Sequence, residues 1–291
     1  MRNARATAAV CAAAVCFFAA HAQLEKAQQN PASPQVESRT AAEIVLPPQL
    51  ETGKPATLAV LDAEGRLLPG VEIALPEGRR IRTDSTGRAR FVVTAPAGSF
   101  TAQVSDARIS ATADVVGDLA GSSLQISVSQ YPRFATLDGK VVVHGTGFRG
   151  DADLNRVTFT GKPALVLASS PLSLVVIPGL DVLPGPAEMQ IEISGKKSKA
   201  LPLTMVSFKV QPPDGLMAEG KKSRLTISVR GTDQRLMLTV ENQSPETIEL
   251  TAGNTQRVRS SGGTLNRAVV GFRALRAGEF SISVKLAAEG P

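Results

Sequence analysis

Short runs of β-branched and other apolar residues recur along the chain and constrain its fold more than any other feature. The runs are rich in Val, Ile, Leu, Thr and Phe, recur about every 8 to 12 residues, and are separated by Gly, Pro, Asp and Asn. No segment keeps a helical period over three turns. This spacing is typical of β-sandwiches, so the sequence predicts an all-β fold.

The strand-like runs fall into three groups, each of about 75 to 85 residues, which is the size of one small sandwich. We therefore predict tandem β-sandwich domains at 46–120, 121–208 and 209–291. The segment 23–45 before them is rich in Gln, Ala, Pro and Ser over most of its length and has no apolar periodicity. We predict a disordered linker there.

The N-terminus has the parts of a secretory signal. Arg2 and Arg5 make a short positive region, an apolar and uncharged stretch runs to Ala20, and Ala20 and Ala22 are the small residues that signal peptidase requires. The apolar stretch, about 15 residues, is too short to span a bilayer, which needs roughly 20. We therefore predict a signal peptide at 1–22 and a periplasmic or secreted protein.

The predicted signal contains all the cysteine of the chain. Its removal takes Cys11 and Cys16 and leaves His144 as the one histidine. Disulfides and a cysteine nucleophile are then excluded, and one imidazole cannot build a zinc site, so we expect no cofactor. The formal net charge of +6 decreases when Arg2 and Arg5 are removed with the signal peptide. We expect no nucleic-acid partner from so mild a charge, and no membrane span, since no later segment is long enough.

Two strand–turn–strand units in the first group share one turn pattern. In each, Asp begins the turn and Gly ends it three residues later, at Asp62 and Gly65 and again at Asp84 and Gly87. Asp accepts hydrogen bonds from its own turn, and Gly adopts the positive φ. This order resembles bacterial immunoglobulin-like (Ig-like) domains of the invasin type and the carboxypeptidase regulatory-like sandwich. Either resemblance implies an Ig-like spacer or adhesion module and no catalytic unit.

The second group carries five sequence features in a fixed order. They are an entry with Pro132, Gly139 before a strand, a strand closing on Gly145, Gly147 and Phe148, a V-x-F-x-G strand at 157–161, and a strand ending in Pro178. This order resembles an IPT/TIG domain, although that family more usually has a small polar residue where His144 stands. The resemblance implies an Ig-like sandwich used for contacts with proteins or polysaccharides. The third group, 209–291, resembles no family that we can name.

Gly145, Gly147 and Gly150 form a G-x-G-x-x-G motif. A dinucleotide site requires a helix directly after this motif, because the helix N-terminus holds the pyrophosphate. The residues that follow, beginning at Asp151, have no apolar helical face and lead into a strand. We interpret the motif as a glycine-rich turn.

His144 and three loop acids are further candidates for chemistry. His144 ends a Val-rich strand, and no G-x-S-x-G elbow accompanies it, so we interpret it as structural. Asp138, Asp151 and Asp153 supply too few ligands for calcium at their spacing. We interpret these carboxylates as solvated loop acids.

Four arginines flank the turn at 84–87. They are Arg80, Arg82, Arg88 and Arg90. With a strand period of two, all four share the outer face of one hairpin, where like charges repel one another. The four arginines are therefore candidate binding residues for an anionic ligand such as phosphate, a uronate or a lipid headgroup. The alternative interpretation, which we favour, is a solvated strand face partly balanced by Glu72 and Glu77.

The residue inventory favours contact over chemistry. The chain has no Trp and one Tyr, so aromatic platforms for sugar stacking are scarce. We predict a non-enzymatic exported binding and spacer protein of the cell envelope, which contacts an envelope or extracellular protein, or a polysaccharide, through Ig-like domains. One alternative is recognition of an anionic polysaccharide or lipid headgroup by the four arginines. Another is a hydrolase that uses carboxylates in an interdomain cleft, although no carboxylate pair is marked by its spacing.

Overall fold

The computed structural model of the chain describes residues 39–105, 107–119, 125–213 and 218–287. The predicted signal peptide and the linker residues before 39 lie outside the described residues. Within the described ranges the secondary structure consists of strands and two 3-10 turns, Pro76–Gly78 and Ala152–Leu154, with no α-helix. The all-β prediction is confirmed.

The first sandwich contains eight strands. They are β1 (Ala41–Val45), β2 (Gln49–Glu51), β3 (Pro55–Asp62), β4 (Glu72–Ala74), β5 (Arg80–Arg82), β6 (Arg88–Val92), β7 (Gly98–Val104) and β8 (Ser110–Val116). β1, β3 and β6 pack against the sheet ordered β2-β8-β7-β4-β5. The rings of Phe91 on β6 and Phe100 on β7 stack across the core with centroids 5.5 Å apart. The sequence predicted a disordered linker over 23–45, but its last residues form strand β1. They are ordered because Ile44 and Val45 are buried.

The two predicted Asp turns have the expected chemistry. The Asp62 carboxylate accepts the backbone N–H groups of residues two and four positions on, at 3.1 and 2.9 Å. The Asp84 carboxylate accepts the N–H two positions on, at 2.7 Å. Gly65 and Gly87 have φ values of 76° and 74°, which an L side chain rarely adopts. The sequence therefore predicted the positions and the chemistry of both turns.

The second sandwich is built from strands β9 to β18. They are β9 (Ser127–Gln130), β10 (Phe134–Thr136), β11 (Val141–Thr146), β12 (Arg156–Phe159), β13 (Lys162–Pro163), β14 (Leu165–Ser169), β15 (Ser173–Ile177), β16 (Gly185–Ile193), β17 (Lys196–Lys197) and β18 (Leu201–Gln211). One layer is ordered β14-β15-β11-β9 and the other β13-β12-β16-β18, with β10 and β17 paired at its margins. Phe159, Met189, Ile191 and Met205 are among the fully buried side chains between them.

The third sandwich shares β18 and adds six strands. They are β19 (Lys222–Arg230), β20 (Met237–Asn242), β21 (Ile248–Leu250), β22 (Thr255–Arg259), β23 (Arg267–Ala274) and β24 (Ile282–Leu286). The layer β18-β19-β23-β21 packs on the three-stranded layer β22-β20-β24. Leu225, Ile227 and Phe272 from the first layer meet Leu238 and Ile282 from the second.

Strand β18 belongs to two sandwiches at once. Its first half pairs with β16 as far as Met205, and its second half pairs with β19 from Ser207 onward. Met205 packs in the second core and the next residue, Val206, packs in the third. Because successive strand residues point to opposite faces, the two cores lie on opposite sides of one continuous sheet. The strand also crosses the domain boundary predicted between 208 and 209, and the predicted domain limits stay predictions.

The first and second sandwiches are joined by a separate apolar contact. Val45, Ala59 and Leu61 of the first pack against Leu167, Ala168 and Val175 of the second. One backbone pair, Thr57 with Ser169, also joins β3 to β14, so that strands of both sandwiches form a single sheet.

Candidate functional site

The four arginines do not form the hairpin that the sequence predicts. β5, which carries Arg80 and Arg82, pairs with β4, whereas β6, which carries Arg88 and Arg90, pairs with β3. The turn between them passes from one layer of the sandwich to the other. The prediction of a shared outer face is therefore wrong, because consecutive strands here are not sheet partners.

Arg80 and Arg82 lie beside a single carboxylate on the neighbouring strand. Arg80 donates to Glu72 at 2.6 Å, and an Arg82 nitrogen lies 3.9 Å from the same carboxylate. The hydrogen bond from Arg80 lowers the pKa of Glu72. Glu77, considered as a second counter-charge, instead accepts a hydrogen bond from Thr94 at 3.2 Å. This pair of arginines is thus partly neutralised in the way the alternative interpretation expects.

Arg88 lies at the junction of the first two sandwiches, where its side chain is only 10% exposed. Its guanidinium donates to the Val166 carbonyl at 3.2 Å and to the Asp153 carboxylate at 2.6 Å, both in the second sandwich. A third bond, at 3.1 Å, goes to the Thr86 hydroxyl. The sheet face that the sequence predicted to meet solvent is covered here by a neighbouring sandwich.

Arg90 extends the same junction at the surface. Its side chain, 57% exposed, lies 2.8 Å from the Asp151 carboxylate and 3.3 Å from that of Asp153. These two acids are more than solvated loop carboxylates, because arginines of the first sandwich pair with both, although the Asp153 side chain remains 53% exposed. Among the described residues, no group of three or more His, Cys, Asp or Glu side chains could hold a metal ion. Each of the four arginines already lies beside a carboxylate of the protein, with which an anionic ligand would have to compete. Their binding of an anionic ligand stays a prediction.

The glycine-rich motif serves the same junction. The Gly150 carbonyl accepts hydrogen bonds from the Thr57 hydroxyl at 2.6 Å and the Ser169 hydroxyl at 2.9 Å. A Cβ at Gly150 would overlap the carbonyl oxygen of Pro55, so only glycine fits between the two sandwiches. A three-residue 3-10 turn and then β12 follow the motif, in agreement with its interpretation as a turn.

His144 also contacts the first sandwich. Its Nδ1 lies 3.3 Å from the side-chain oxygen of Gln49, and burial lowers the pKa of the imidazole, which favours the neutral ring. Ser173, its cross-strand neighbour, donates its hydroxyl to the Gln49 carbonyl at 3.0 Å. Both side chains therefore bond across the junction, which agrees with a structural role for His144.

A groove of about 480 Å³ opens beside the glycine-rich motif, between the first two sandwiches. Lys54, Arg149 and Lys196 supply positive charge at its rim, and Phe148 and Leu172 supply apolar surface. Its one carboxylate among the described residues, Glu51, is buried and accepts the N–H of Leu119 at 3.0 Å. This groove does not present the carboxylate pair that the hydrolase alternative requires.

A loop between β15 and β16 was not singled out by the sequence. It exposes Leu180 and Leu183 to 87% and 77%, while Val182 between them is buried in the second core. The loop also approaches the β12–β13 hairpin, because Gly179 lies against the Pro163 carbonyl. The two leucines are therefore displayed by an anchored loop. In the described part of the chain no helix is long and apolar enough to cross a membrane.

No protein-family model matches the chain, and no curated protein matches its sequence. A glucan-utilisation protein of Bacteroides ovatus, SGBP-B in complex with a mixed-linkage heptasaccharide, is 12% identical over 84% of this chain and 75% of its own, with a TM-score of 0.29. Domains 1–6 of the surface-layer protein SbsC are 15% identical over 86% and 39%, with a TM-score of 0.21. Extracellular domains 3–5 of Drosophila OTK are 12% identical over 89% and 96%, with a TM-score of 0.18. These similarities are too low to carry an argument about this chain, and the invasin-type and IPT/TIG resemblances stay predictions.

Proposed function

We propose that the chain is a non-enzymatic, exported binding and spacer protein of the cell envelope, whose sandwiches contact another envelope or extracellular protein. The single observation that carries the proposal is the exposure of Leu180 and Leu183 on one short loop. When a protein partner covers apolar side chains that are exposed to water in this way, their removal from water is itself favourable.

The frame beneath the loop supports the same function. Val182 fixes the loop to the second core, so the leucines keep their position without a partner. Shared sheets connect the second sandwich to both of its neighbours. A contact loop on such a frame is held at a fixed place relative to the first and third sandwiches, which is the property that a spacer requires.

Site-specific photo-crosslinking in cells tests the proposal. A benzophenone amino acid replaces Leu183 in one variant and Thr255, an exposed residue of β22, in a matched control. We expect an adduct with one envelope or extracellular protein from position 183 and none from 255. Adding Leu180→Ser to the position-183 variant should reduce that adduct, because half of the apolar contact is removed.

Three outcomes contradict the proposal. They are equal adducts from both positions, an adduct at 183 that Leu180→Ser leaves unchanged, and recovery of the chain in the cytoplasmic fraction. The first two would remove the leucine loop as the contact site, and the third would remove the envelope location.

A further inference from the structure

One face of the third sandwich concentrates positive charge. In the layer β18-β19-β23-β21, alternate residues such as Leu225 and Ile227 point into the core, and the residues between them point outward. Six of the outward residues are basic: Lys209, Lys222, Arg224, Arg230, Arg267 and Arg273. All six are exposed. Three neighbouring strands, β18, β19 and β23, thus carry these cations on one sheet face.

Most of this charge is not balanced by the described residues. Arg273 pairs with Glu249 across β21 and β23 at 2.6 Å. None of the other five cations has a carboxylate within 4.0 Å in the described part of the chain. Like charges on neighbouring strands repel, so a ligand that supplies anions to this face relieves an existing electrostatic cost.

The register places the cations in rows across the strands. Lys209 lies beside Ser228, which pairs with Arg267. Two residues along, Gln211, Thr226 and Val269 form the next row. Successive rows on one face are about 7 Å apart, because each residue advances the strand by about 3.4 Å. Cations are therefore spaced along the face, with hydroxyl and amide groups between them.

We infer that this face binds an acidic polysaccharide, whose carboxylates meet the cations and whose hydroxyls meet Ser228, Thr226 and Gln211. An extended peptide would need free backbone groups, but β19 and β23 are paired on both edges. A membrane surface would need protruding apolar side chains, and Val269, 54% exposed, is the one large apolar residue of the two central rows. The inference does not rest on the proposed protein contacts of the leucine loop.

The test uses the purified chain without residues 1–22 and polygalacturonate, a uronate polymer. We expect saturable binding by isothermal calorimetry that weakens as salt is raised. Fully methyl-esterified polygalacturonate has the same sugar backbone without the charge and should not bind. Arg224→Gln with Arg267→Gln should weaken binding about tenfold, because two exposed charge contacts are lost.

A matched control lies on the other layer of the same sandwich. Arg257→Gln with Arg259→Gln, on β22, changes the net charge equally, and both residues are exposed. This double variant should bind as the unaltered chain does. Thermal unfolding of both double variants shows whether a loss of binding reflects a loss of fold.

Several results would overturn the inference. Equal weakening by the two double variants would show attraction to net charge alone. Binding of the methyl-esterified polymer at the same affinity would remove the carboxylate from recognition. Equal or tighter binding to poly-glutamate or to phosphatidylglycerol vesicles would assign the face to an acidic peptide or to a lipid surface instead. None of these results bears on the crosslinking at Leu183, so the two proposals fail separately.

Discussion

Replacing Arg88 by Met should destabilise the protein far more than the same change at Arg90. The two residues lie on one strand, both contact Asp153, and both lose the same charge. They differ in environment, because the Arg88 side chain is 10% exposed and that of Arg90 is 57% exposed. The comparison therefore isolates the contribution of the buried junction from that of charge.

The expected loss follows from the bonds that Arg88 makes. Without the guanidinium, the Val166 carbonyl loses its donor at 3.2 Å inside the junction, which costs about 1–3 kcal/mol. The bond to Asp153 adds about 1 kcal/mol, since that carboxylate is 53% exposed and keeps Arg90 as a partner. We expect Arg88→Met to lower the free energy of unfolding by about 2–4 kcal/mol and Arg90→Met by at most about 1 kcal/mol.

Urea unfolding followed by circular dichroism measures both variants at pH 7. Arg82→Met serves as a surface control, because that side chain is 67% exposed on the other layer of the first sandwich. Its midpoint should match that of the unaltered chain within error. Equal losses at positions 88 and 90, or a loss at position 82 as large as that at 88, would refute the assignment of Arg88 to a buried junction.

Three further changes test other parts of the structure. Gly150→Ala should cost about 2–3 kcal/mol, because the new methyl group overlaps Pro55, whereas Gly117→Ala, which meets open space, should be neutral in the same urea titration. Burial raises the pKa of Asp62, but hydrogen bonds and charge from Arg66 outweigh it and hold the pKa below its ordinary value. The carboxylate therefore stabilises the fold above about pH 4 and loses this effect at lower pH, so the stability difference between the unaltered chain and Asp62→Asn should shrink when unfolding is measured at pH 3. Burial lowers the pKa of His144, so stability should fall as pH drops below about 6.5, and His144→Gln should remove that part of the pH dependence.

The sequence predicted local features well, because turn chemistry is local. Asp62 and Asp84 each accept hydrogen bonds from within four residues, so the turns could be read without knowledge of the fold. What the turn at Asp84 joins could not be read in the same way, since a hairpin and a crossing between layers use similar residues. Thr83, just before this turn, marks the crossing between layers. Its buried hydroxyl donates to the Leu68 carbonyl and accepts the Val71 N–H, whereas a hairpin strand would turn a polar side chain to solvent.

The contact between the first and second sandwiches could not be predicted from local sequence patterns. Arg88 and Arg90 bond to an acid 63 to 65 positions away, and no period or motif relates them. The shared strand left a weaker trace in the sequence. Met205 and Val206 are adjacent apolar residues that interrupt the alternation of β18, and such an interruption indicates that the buried face changes sides. The alternation within β19 and within β23 shows which of their basic residues point outward. That these residues share one face follows only from the pairing of the two strands, which the structure supplies.

The shared strand also determines how the protein responds to tension. Tension along the chain passes between the second and third sandwiches through β18, which pairs with β16 as far as Met205 and with β19 from Ser207 onward. The two sandwiches have no hinge at this point, because the residues that would bend are sheet residues. Force is therefore passed directly between two cores on opposite faces of one sheet. Loss of the β18 pairing would expose both cores, so we expect the second and third sandwiches to unfold together under force and not one after the other.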